Sequence, residues 1–441
     1  MELVYSVVGI SKYEGVYFSY KNSDEEVECV GKDQDFIDIL SSHFYKVCKE
    51  KVKGKPVKLT YFISQSIKER AEEELSKNID KEDWHKVLIP SFGYDTFEEE
   101  IFKYEAHYPY LNLIFLLNIL KDMLDNKESL KAVKVDISVG WNFYVSALIE
   151  ALRTASVFWK LYNFTNTNMP KFSMIFSDPI TTKLSEKKVE FFIYEEELKV
   201  KVWFDIPLKS IDKKNSENLQ KADIDRNGIE LLERAILTFN AIRQNAPLVI
   251  YTFGYDEGKK VDEFLKNYIL EILEKYKPEK AYIGKGHYKM PSRETIETIK
   301  SVILTLALYR NIAYMLEKYK IPQEGRKWVD LEDLKRSFIT EKGLYERYGL
   351  LANKIMLERD IENFEEKLKN MLKEGKEKNI EELETGRRTG CYVSKYDKRN
   401  FLAHSGFERK ITMLKKQDGK LYIGYCDFKE GGKKIIEDFL K

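Results

Sequence analysis

Short apolar runs alternate with charged helical stretches along the first half of the chain. Apolar runs stand at 3–10, 57–64, 86–91 and 132–137, and the charged stretch 67–79 separates two of them. Runs of this length, bounded by polar residues, are typical of buried strands. Strands that alternate with helices predict a parallel, doubly wound α/β sheet.

Two further patterns complete this half of the chain. Segments 172–180 and 189–206 alternate apolar and charged residues, which predicts antiparallel strands added to the sheet. The run "YPYLNLIFLLNIL" predicts a buried helix that Pro109 opens. It is shorter than the roughly 20 residues that a bilayer requires, and it contains Asn112 and Asn118, so we expect no membrane segment here.

Helical patterns dominate from residue 212 onward. Within them, "APLVIYTFG" is compatible with a strand or with a buried helix. Ser292 is placed to cap a long helix, the charged run 373–388 predicts a helix end and a loop, and the Asp-Gly pair in "KITMLKKQDGKLYIGY" predicts a β-hairpin. We therefore predict an α/β domain at 1–211, a helical connecting region at 212–290 and a helical domain with a hairpin at 291–441.

Composition limits the environment and the partners of the chain. Its 441 residues are 33% charged but carry a net charge of only +1, so a nucleic-acid surface must be a local patch. Four scattered cysteines without a Cys-x-x-Cys pair argue against a disulfide framework and against a cysteine zinc site. The amino terminus lacks the basic segment and cleavage site of a signal peptide. We expect a cytoplasmic protein.

Two glycine-containing loops follow predicted parallel strands and are candidate ligand-binding segments. They read "VGISK" and "DISVGWN". In open α/β sheets, ligands bind at the carboxyl ends of strands, where helix N-termini present free N–H groups. Neither loop is a dinucleotide or ATP fingerprint, and a simple turn with Asp136 as a helix cap is the competing interpretation. The candidate ligand-binding residues are Gly9, Ser11, Lys12, Asp136, Ser138, Gly140, Trp141 and Asn142.

A candidate catalytic site lies near the carboxyl terminus. The stretch "DKRNFLAHSGF" places Arg399, Asn400 and His404 within six residues. Cleavage of RNA by its own 2′-hydroxyl needs proton transfer, which histidine performs near neutral pH, and a cation matched to phosphate oxygens, which arginine supplies. On a regular helix, residues five apart diverge by roughly 140°. A two-fold dimer would bring two such pairs together, and a surface histidine is the alternative.

The charge around this trio favours RNA binding. Nine basic residues stand between 385 and 416 against two acidic ones, with Tyr392, Tyr396, Phe401 and Phe407 interleaved. Cations and aromatic rings in alternation are typical of surfaces that bind single-stranded RNA, although a solvated basic face is the alternative. The candidate RNA-binding residues are Arg387, Arg388, Lys395 and Lys398.

Two motifs resemble those of a known family. "RNFLAHSGFE" resembles the R-x4-6-H motif of HEPN ribonucleases, and the segment 136–140, "DISVG", resembles the D-x-T-H-G motif of CARF domains. With this domain order and length, the chain resembles the CARF–HEPN ancillary ribonucleases of type III CRISPR systems. Ser138 and Val139 stand where that family has threonine and histidine, so a hydroxyl is kept and an imidazole is lost.

The resemblance implies a fold and an activity. It implies a Rossmann-like CARF domain followed by a helical HEPN domain with a hairpin, in a homodimer or an oligomer of dimers. It also implies activation by a cyclic oligoadenylate, with cyclic tetra-adenylate expected, and cleavage of single-stranded RNA without metal or cofactor to a 2′,3′-cyclic phosphate. Arg399 would then stabilise the phosphate, His404 would transfer the proton and Asn400 would orient them.

Two other functions fit the same patterns. The chain could be a ligand-sensing regulator that binds DNA and uses its HEPN region for dimerisation. It could also be a HEPN toxin that a partner protein controls. A DNA footprint together with a dispensable His404 would favour the regulator, whereas HEPN toxins seldom carry an attached sensor domain of this size.

Overall fold

The computed structural model describes most of the chain in two compact units. The first contains Met1–Phe204 and Leu265–Ile303, and the second contains Asp205–Phe264 and Leu304–Lys441. The division predicted at 211 and 290 stays a prediction. The described residues exclude 9–15, 23–24, 31–44, 47–49, 51–55, 79–83, 98–99, 139–141, 167–168, 178–188, 203–204, 285–286, 369–370, 393, 427–431 and 441.

The first unit is built on an eight-stranded sheet. Its strands and those of two small hairpins are β1 (Glu2–Val7), β2 (Val16–Asn22), β3 (Glu25–Val30), β4 (Val57–Ser64), β5 (His85–Ile89), β6 (Phe92–Phe97), β7 (Glu100–Glu105), β8 (Ala132–Asp136), β9 (Lys171–Ser177), β10 (Val189–Glu197), β11 (Tyr282–Gly284) and β12 (His287–Tyr288). The order across the sheet is β3-β2-β10-β9-β8-β1-β4-β5. Strands β9, β8, β1, β4 and β5 pair in parallel, whereas β10 is antiparallel to β9.

Buried helices cover this sheet. All six residues of β1 are buried, as expected for a central parallel strand. Helices Tyr108–Asp125 and Asn142–Tyr162 pack against each other, and Lys68–Asn78 and Pro278–Ala281 are further helices of the unit. The first of these starts where predicted, with Pro109 in its first turn and the His107 Nδ1 accepting a hydrogen bond from the Tyr110 N–H at 3.2 Å.

The predicted α/β sheet with added antiparallel strands is confirmed, but one of its strands was predicted too long. The alternation over 189–206 continues past Glu197, where β10 ends. Glu197 pairs with Ser173, near the start of β9. The Leu198 N–H still donates to the Phe172 carbonyl at 2.7 Å, so the pairing ends close to Lys171, where β9 begins. The hairpin of β6 and β7 was not predicted.

The second unit is mainly helical. Its small sheet has the order β13-β16-β15-β14, formed by β13 (Val329–Asp330), β14 (Glu377–Asn379), β15 (Thr412–Gln417) and β16 (Lys420–Tyr425). Helices Gly258–Tyr276 and Arg293–Lys318 contribute residues to both units. The remaining helices are Lys213–Lys221, Arg226–Arg243, Pro247–Phe253, Leu331–Phe338, Leu344–Arg347, Leu351–Leu368, Ile380–Thr385, Lys398–Ala403 and Gly432–Leu440.

Several local predictions meet the structure here. The hairpin is confirmed, since Asp418 and Gly419 have φ of 52° and 74°, as a tight two-residue turn requires. The ambiguous "APLVIYTFG" is a helix that begins at Pro247, and Ser292 Oγ accepts a hydrogen bond from the Thr295 N–H at 3.2 Å. The interpretation of 373–388 as a helix end and loop is wrong, because Glu377–Asn379 pairs with β15 and a helix follows.

Two of the four cysteines are bonded. Cys391 and Cys426 form a disulfide with a Cα–Cα distance of 6.1 Å, so the expectation of no disulfide is wrong for this pair. Their separation of 35 residues gave no signal, because folding alone brings the two together. The backbone N–H of Cys426 donates to the Ile411 carbonyl, which places it beside the start of the hairpin.

One helix raises the question of a membrane. In the described part of the chain, Arg293–Lys318 is long and apolar enough to cross a bilayer, and 72% of its apolar window is buried inside the protein. A buried core helix has the same length and composition. We therefore do not assign this helix to a membrane.

Candidate active site and ligand-binding edge

A short helix, Lys398–Ala403, carries two of the three predicted catalytic residues. Arg399 and Asn400 are both exposed on it. The helix is anchored by Phe401, which is fully buried and lies against the Phe439 ring at a centroid distance of 5.4 Å. The anchor explains why Arg399 and Asn400, which precede Phe401 by two residues and one residue on a tight helix, face outward.

Asp397 secures the start of this helix. Its Oδ2 accepts hydrogen bonds from the Ser394 N–H and hydroxyl at 2.8 and 2.9 Å, and its Oδ1 lies 3.3 Å from Lys410 Nζ. Burial acts to raise the pKa of Asp397, but the hydrogen bonds from Ser394 and Lys410 outweigh it and hold the pKa below its usual value. A carboxylate at this position also favours the helix N-terminus.

His404 ends the helix. Its N–H still donates to the Asn400 carbonyl at 3.1 Å, but its φ and ψ are −122° and 44°, and Ser405 and Gly406 follow with φ of 52° and 80°. The divergence of roughly 140° assumed a regular helix through His404, so it does not apply here. Gly406 is required at the turn, because a Cβ there would lie 2.8 Å from the Cβ of Ala246.

A buried carboxylate lies beside the imidazole. Asp360 Oδ1 is 3.6 Å from His404 Nδ1, and the two side chains are 5% and 51% exposed. Asp360 Oδ2 accepts a hydrogen bond from the Ser405 hydroxyl at 2.8 Å, and the Ser405 Oγ in turn accepts one from Asn245 Nδ2 at 3.0 Å. A carboxylate next to Nδ1 favours the tautomer that carries its proton there, which leaves Nε2 free for proton exchange. Sequence reasoning missed Asp360, Ser405 and Asn245.

The imidazole borders a cavity of about 190 Å³. Arg409, which pairs with Glu384, lines this cavity together with His404 and Asp360, whereas Arg399 does not. Among the described residues, no hydrogen bond or ion pair joins the Arg399 or Asn400 side chain to His404. Within one chain, the structure therefore brings His404 together with a carboxylate and Arg409, and it leaves Arg399 and Asn400 outside this cavity.

The structure describes the side chains of three of the four predicted RNA-binding residues. Arg387 and Arg388 are exposed, and Lys398 Nζ donates to the Asp438 carbonyl at 3.3 Å. The side chain of Lys395 lies outside the described residues. These four residues stay candidates for RNA contact.

The interleaved aromatic rings divide into two groups. Tyr392 and Tyr396 are 68% and 81% exposed, so both present a face to solvent. Phe401 and Phe407 are buried, at 0% and 1% exposure, and the Phe407 ring packs against Phe364. The prediction that these two phenylalanines belong to an RNA surface is therefore wrong. Phe401 is on the inward side of the short helix, and Phe407 reaches the core after the turn at Ser405 and Gly406.

The predicted ligand-binding edge of the first unit is where β1 and β8 end. These strands are adjacent and parallel, with Ser6 opposite Asp136. Asp136 is fully buried, and its Oδ1 accepts hydrogen bonds from the Ser138 N–H and hydroxyl at 2.9 and 2.6 Å. The Ser138 proton is thus used within the loop. Asn142 is exposed at the start of the helix Asn142–Tyr162, and the first N–H groups of a helix have no partner within it.

The structure describes three of the eight predicted ligand-binding residues, namely Asp136, Ser138 and Asn142. The other five, Gly9, Ser11, Lys12, Gly140 and Trp141, lie outside the described residues.

Aromatic rings that the sequence analysis did not single out lie beside Asn142. Phe92 and Phe143 stack with a centroid distance of 4.1 Å and an interplanar angle of 12°, and Phe92 is 41% exposed. The Tyr108 ring meets Phe143 edge-on at 5.6 Å, and the Phe92 N–H donates to the Tyr144 hydroxyl. A partly exposed stacked pair at the carboxyl edge of a sheet offers a face on which a base can stack.

Comparison with known families identifies both domains. Residues 3–179 match the family described as CRISPR system endoribonuclease Csx1, CARF domain, and residues 350–430 match CRISPR system endoribonuclease Csx1, HEPN domain. The chain belongs to the CARF–HEPN ribonucleases of CRISPR systems. The resemblance inferred from the two motifs is confirmed, and the HEPN match implies an endoribonuclease. No curated protein gave a significant match.

The family assignment covers both candidate sites. The CARF match includes the loop from Asp136 to Asn142, and the HEPN match includes Arg399, Asn400, His404 and the newly found Asp360. A CARF–HEPN ribonuclease implies an RNA substrate and a cyclic oligoadenylate ligand. The roles of the individual residues stay predictions.

Proposed function

We propose that this CARF–HEPN protein is an endoribonuclease of type III CRISPR antiviral defence, which cyclic oligoadenylate activates and which cuts single-stranded RNA without a metal ion. The observation that carries the proposal is the half-exposed imidazole of His404 beside the buried carboxylate of Asp360, within the segment that matches a HEPN domain. We propose that it acts in the cytoplasm.

The chemistry needs no group beyond these side chains and the RNA. The 2′-oxygen attacks the phosphorus and loses its proton, and the 5′-oxygen leaves and gains one. The products are a 2′,3′-cyclic phosphate and a 5′-hydroxyl. His404 would exchange the proton, and Arg399 would stabilise the charge on the phosphate oxygens while Asn400 orients the phosphate.

This reaction motivates the proposal of a homodimer. One imidazole cannot accept the first proton and supply the second in the same step, so a single-step cleavage uses two. A two-fold axis near His404 would bring the second imidazole and the exposed Arg399 and Asn400 of the partner to one phosphate. The position of these two residues outside the His404 cavity of their own chain supports the idea.

The activator would bind at the carboxyl edge of the parallel sheet. The free N–H groups near Asn142 suit its phosphates, and the stacked pair of Phe92 and Phe143 suits its adenines. We propose cyclic tetra-adenylate, because a ring of four units can match the two-fold symmetry of a dimer. Activation requires cyclic tetra-adenylate to bind the active conformation of the protein more tightly than the inactive conformation.

Cleavage assays with cyclic oligoadenylates of defined ring size test this function. We expect cyclic tetra-adenylate to stimulate cleavage of a fluorescent single-stranded RNA by at least about tenfold, and chelation by EDTA to leave the rate unchanged, since proton transfer and cationic stabilisation come from side chains. Product analysis should show the 2′,3′-cyclic phosphate. Absence of stimulation by every ring size, or loss of activity in EDTA that magnesium or manganese restores, would contradict the proposal.

Asn142→Ala is expected to weaken activator binding about tenfold, because it removes a polar contact to a charged ligand at the helix start. Calorimetric titration with cyclic tetra-adenylate measures the effect, and cleavage in the absence of activator should not change. Asn126→Ala is the control, since Asn126 lies at the carboxyl end of helix Tyr108–Asp125. Equal affinity of the Asn142→Ala protein and the wild type would place the activator elsewhere.

A further inference from the structure

Two neighbouring cavities in the second unit share no lining residue with the His404 cavity. One has a volume of about 860 Å³ and the other about 310 Å³. Both are lined by Tyr319, Lys320, Arg336 and Ser337, so they adjoin each other. They lie where helix Arg293–Lys318 ends, beside the helix Leu331–Phe338. We refer to these two cavities as the basic groove.

The lining of the basic groove is strongly cationic. Its basic residues are Lys318, Lys320, Arg326, Arg336, Lys342, Arg347 and Lys420, against the acidic residues Asp330, Asp333 and Glu341. The chain as a whole has a net charge of only +1. A local excess of this size in a nearly neutral protein attracts a polyanion to one place.

Most of these cations are not neutralised within the protein. Arg336 pairs with Asp333, and Lys420 Nζ lies 3.1 Å from Asp330. In the described part of the chain, the side chains of the other five form no ion pair. Charges that repel one another without internal compensation cost stability, and a bound anion would compensate them.

Aromatic rings stand between the cations. Tyr319 lies between Lys318 and Lys320, and it and Trp328 are each half-buried in the lining. Lys327 and Lys415 lie 5.9 and 5.8 Å from the centre of the Trp328 ring. Cations for phosphates and half-exposed rings for bases are the two components of a site for single-stranded nucleic acid. A site for a small phosphate compound would need neither cavities of this volume nor two separate rings.

We propose that the basic groove binds single-stranded RNA outside the cleavage site, as an accessory site for the substrate. This inference rests on the proposed function, because it assigns the groove to the RNA that His404 cuts. The groove is distinct from the predicted RNA-binding residues Arg387 to Lys398, which do not line it. Its effect would be to raise affinity for long RNA without contributing to the chemical step.

A charge-matched pair of variants tests the groove. Both are made in His404→Ala protein, so that binding is measured without cleavage. The groove variant replaces Lys318, Lys320 and Lys342 by glutamine. The control replaces Lys373, Lys376 and Lys378 by glutamine, three exposed lysines of the same unit that line neither cavity. Both variants lose three positive charges, so any difference reports position and not net charge.

The groove variant is expected to bind a 5′-labelled single-stranded RNA of about 30 nucleotides at least about tenfold more weakly than the control near 0.1 M salt. Its log–log salt slope should fall by about 2, since each phosphate contact contributes roughly 0.7. Tyr319→Leu should weaken binding with the slope unchanged, because a ring contributes by stacking. Fluorescence anisotropy measures all three quantities.

Any of three results would overturn the proposal. The first is equal affinity of the groove variant and the control for RNA. The second is a loss of affinity for duplex DNA but not for single-stranded RNA, and the third is an unchanged affinity of the Tyr319→Leu protein.

Kinetics in protein with His404 intact extends the test. The groove variant should raise KM for long RNA and leave kcat unchanged, and it should not affect cleavage of an oligonucleotide of about six residues. If no RNA is cut at all, the proposed function fails, and the binding measurements still decide the groove.

Discussion

Replacement of His404 by alanine is expected to lower RNA cleavage by about 10²–10⁴-fold, the range over which general acid–base groups act. The imidazole is half exposed at the edge of a cavity, and a carboxylate lies against its Nδ1, so Nε2 is available to a 2′-hydroxyl or a leaving 5′-oxygen. Single-turnover cleavage of a labelled RNA at saturating activator measures the effect. Folding, dimerisation and activator affinity should not change.

His287→Ala is the matched control. His287 is 54% exposed, and its Nδ1 lies 2.9 Å from Glu105, so it resembles His404 in exposure and in having a carboxylate neighbour. It should cut RNA at the wild-type rate. If His404 is only a surface residue, the His404→Ala protein should also cut RNA at the wild-type rate, and its free energy of unfolding should change by less than about 0.5 kcal/mol. Near-normal cleavage by the His404→Ala protein would therefore end the catalytic interpretation.

Mixed dimers extend this experiment to the subunit arrangement. If two chains contribute to one phosphate, wild-type chains paired with His404→Ala chains should cut far below half the wild-type rate. Purified heterodimers with half the rate or more would show that each subunit holds a complete site. Arg399→Ala should lower the cleavage rate by a factor comparable to that of His404→Ala. The double variant should lose much less than the product of the single losses, because both residues serve one transition state.

Asp360→Asn is expected to lower kcat by roughly 10²-fold with little change in KM, because the buried carboxylate favours the His404 tautomer that has Nε2 free. Asparagine has nearly the same shape and can still accept the Ser405 hydroxyl, so the change removes mainly the charge. Steady-state kinetics on a single-stranded RNA separates kcat from KM. Asp360→Asn made in the His404→Ala protein should lower kcat little further, since Asp360 acts through the imidazole.

Asp256→Asn controls for the loss of a buried charge. The Asp256 side chain is 2% exposed and pairs with Arg234 and Lys260, in the same unit as Asp360. Its replacement should reduce stability, because two cations lose their partner, and leave kcat unchanged. A full additional loss by Asp360→Asn in the His404→Ala background would contradict a positioning role and indicate a general effect on the fold.

The sequence predicted the elements whose pattern is local. The strand Val57–Ser64 was predicted at its observed bounds, and the Asp-Gly hairpin was recognised because a two-residue turn imposes its own residue types. The extent of β10 was not predictable in the same way. Its end lies close to the start of β9, which the alternation within 189–206 does not reveal.

The candidate site shows the same division. Arg399, Asn400 and His404 are close in sequence, so a motif could identify them. Asp360 is 44 positions before His404, and Asn245 is further away, so that only folding reveals their contacts. Phe401 and Phe407 were assigned to the surface because spacing alone shows neither which side of a short helix faces the core nor how the chain turns after it.

The disulfide between Cys391 and Cys426 closes a ring that contains the helix Lys398–Ala403, His404 and both strands of the hairpin. A cross-link over 35 residues restricts the unfolded chain more than the folded one, and in the chain-entropy treatment this is worth about 4 kcal/mol. The stabilisation acts whether or not RNA is bound. The resistance of segment 391–426 to thermal unfolding therefore depends on whether the surroundings are oxidising or reducing. This dependence is separate from the proton transfer proposed for His404.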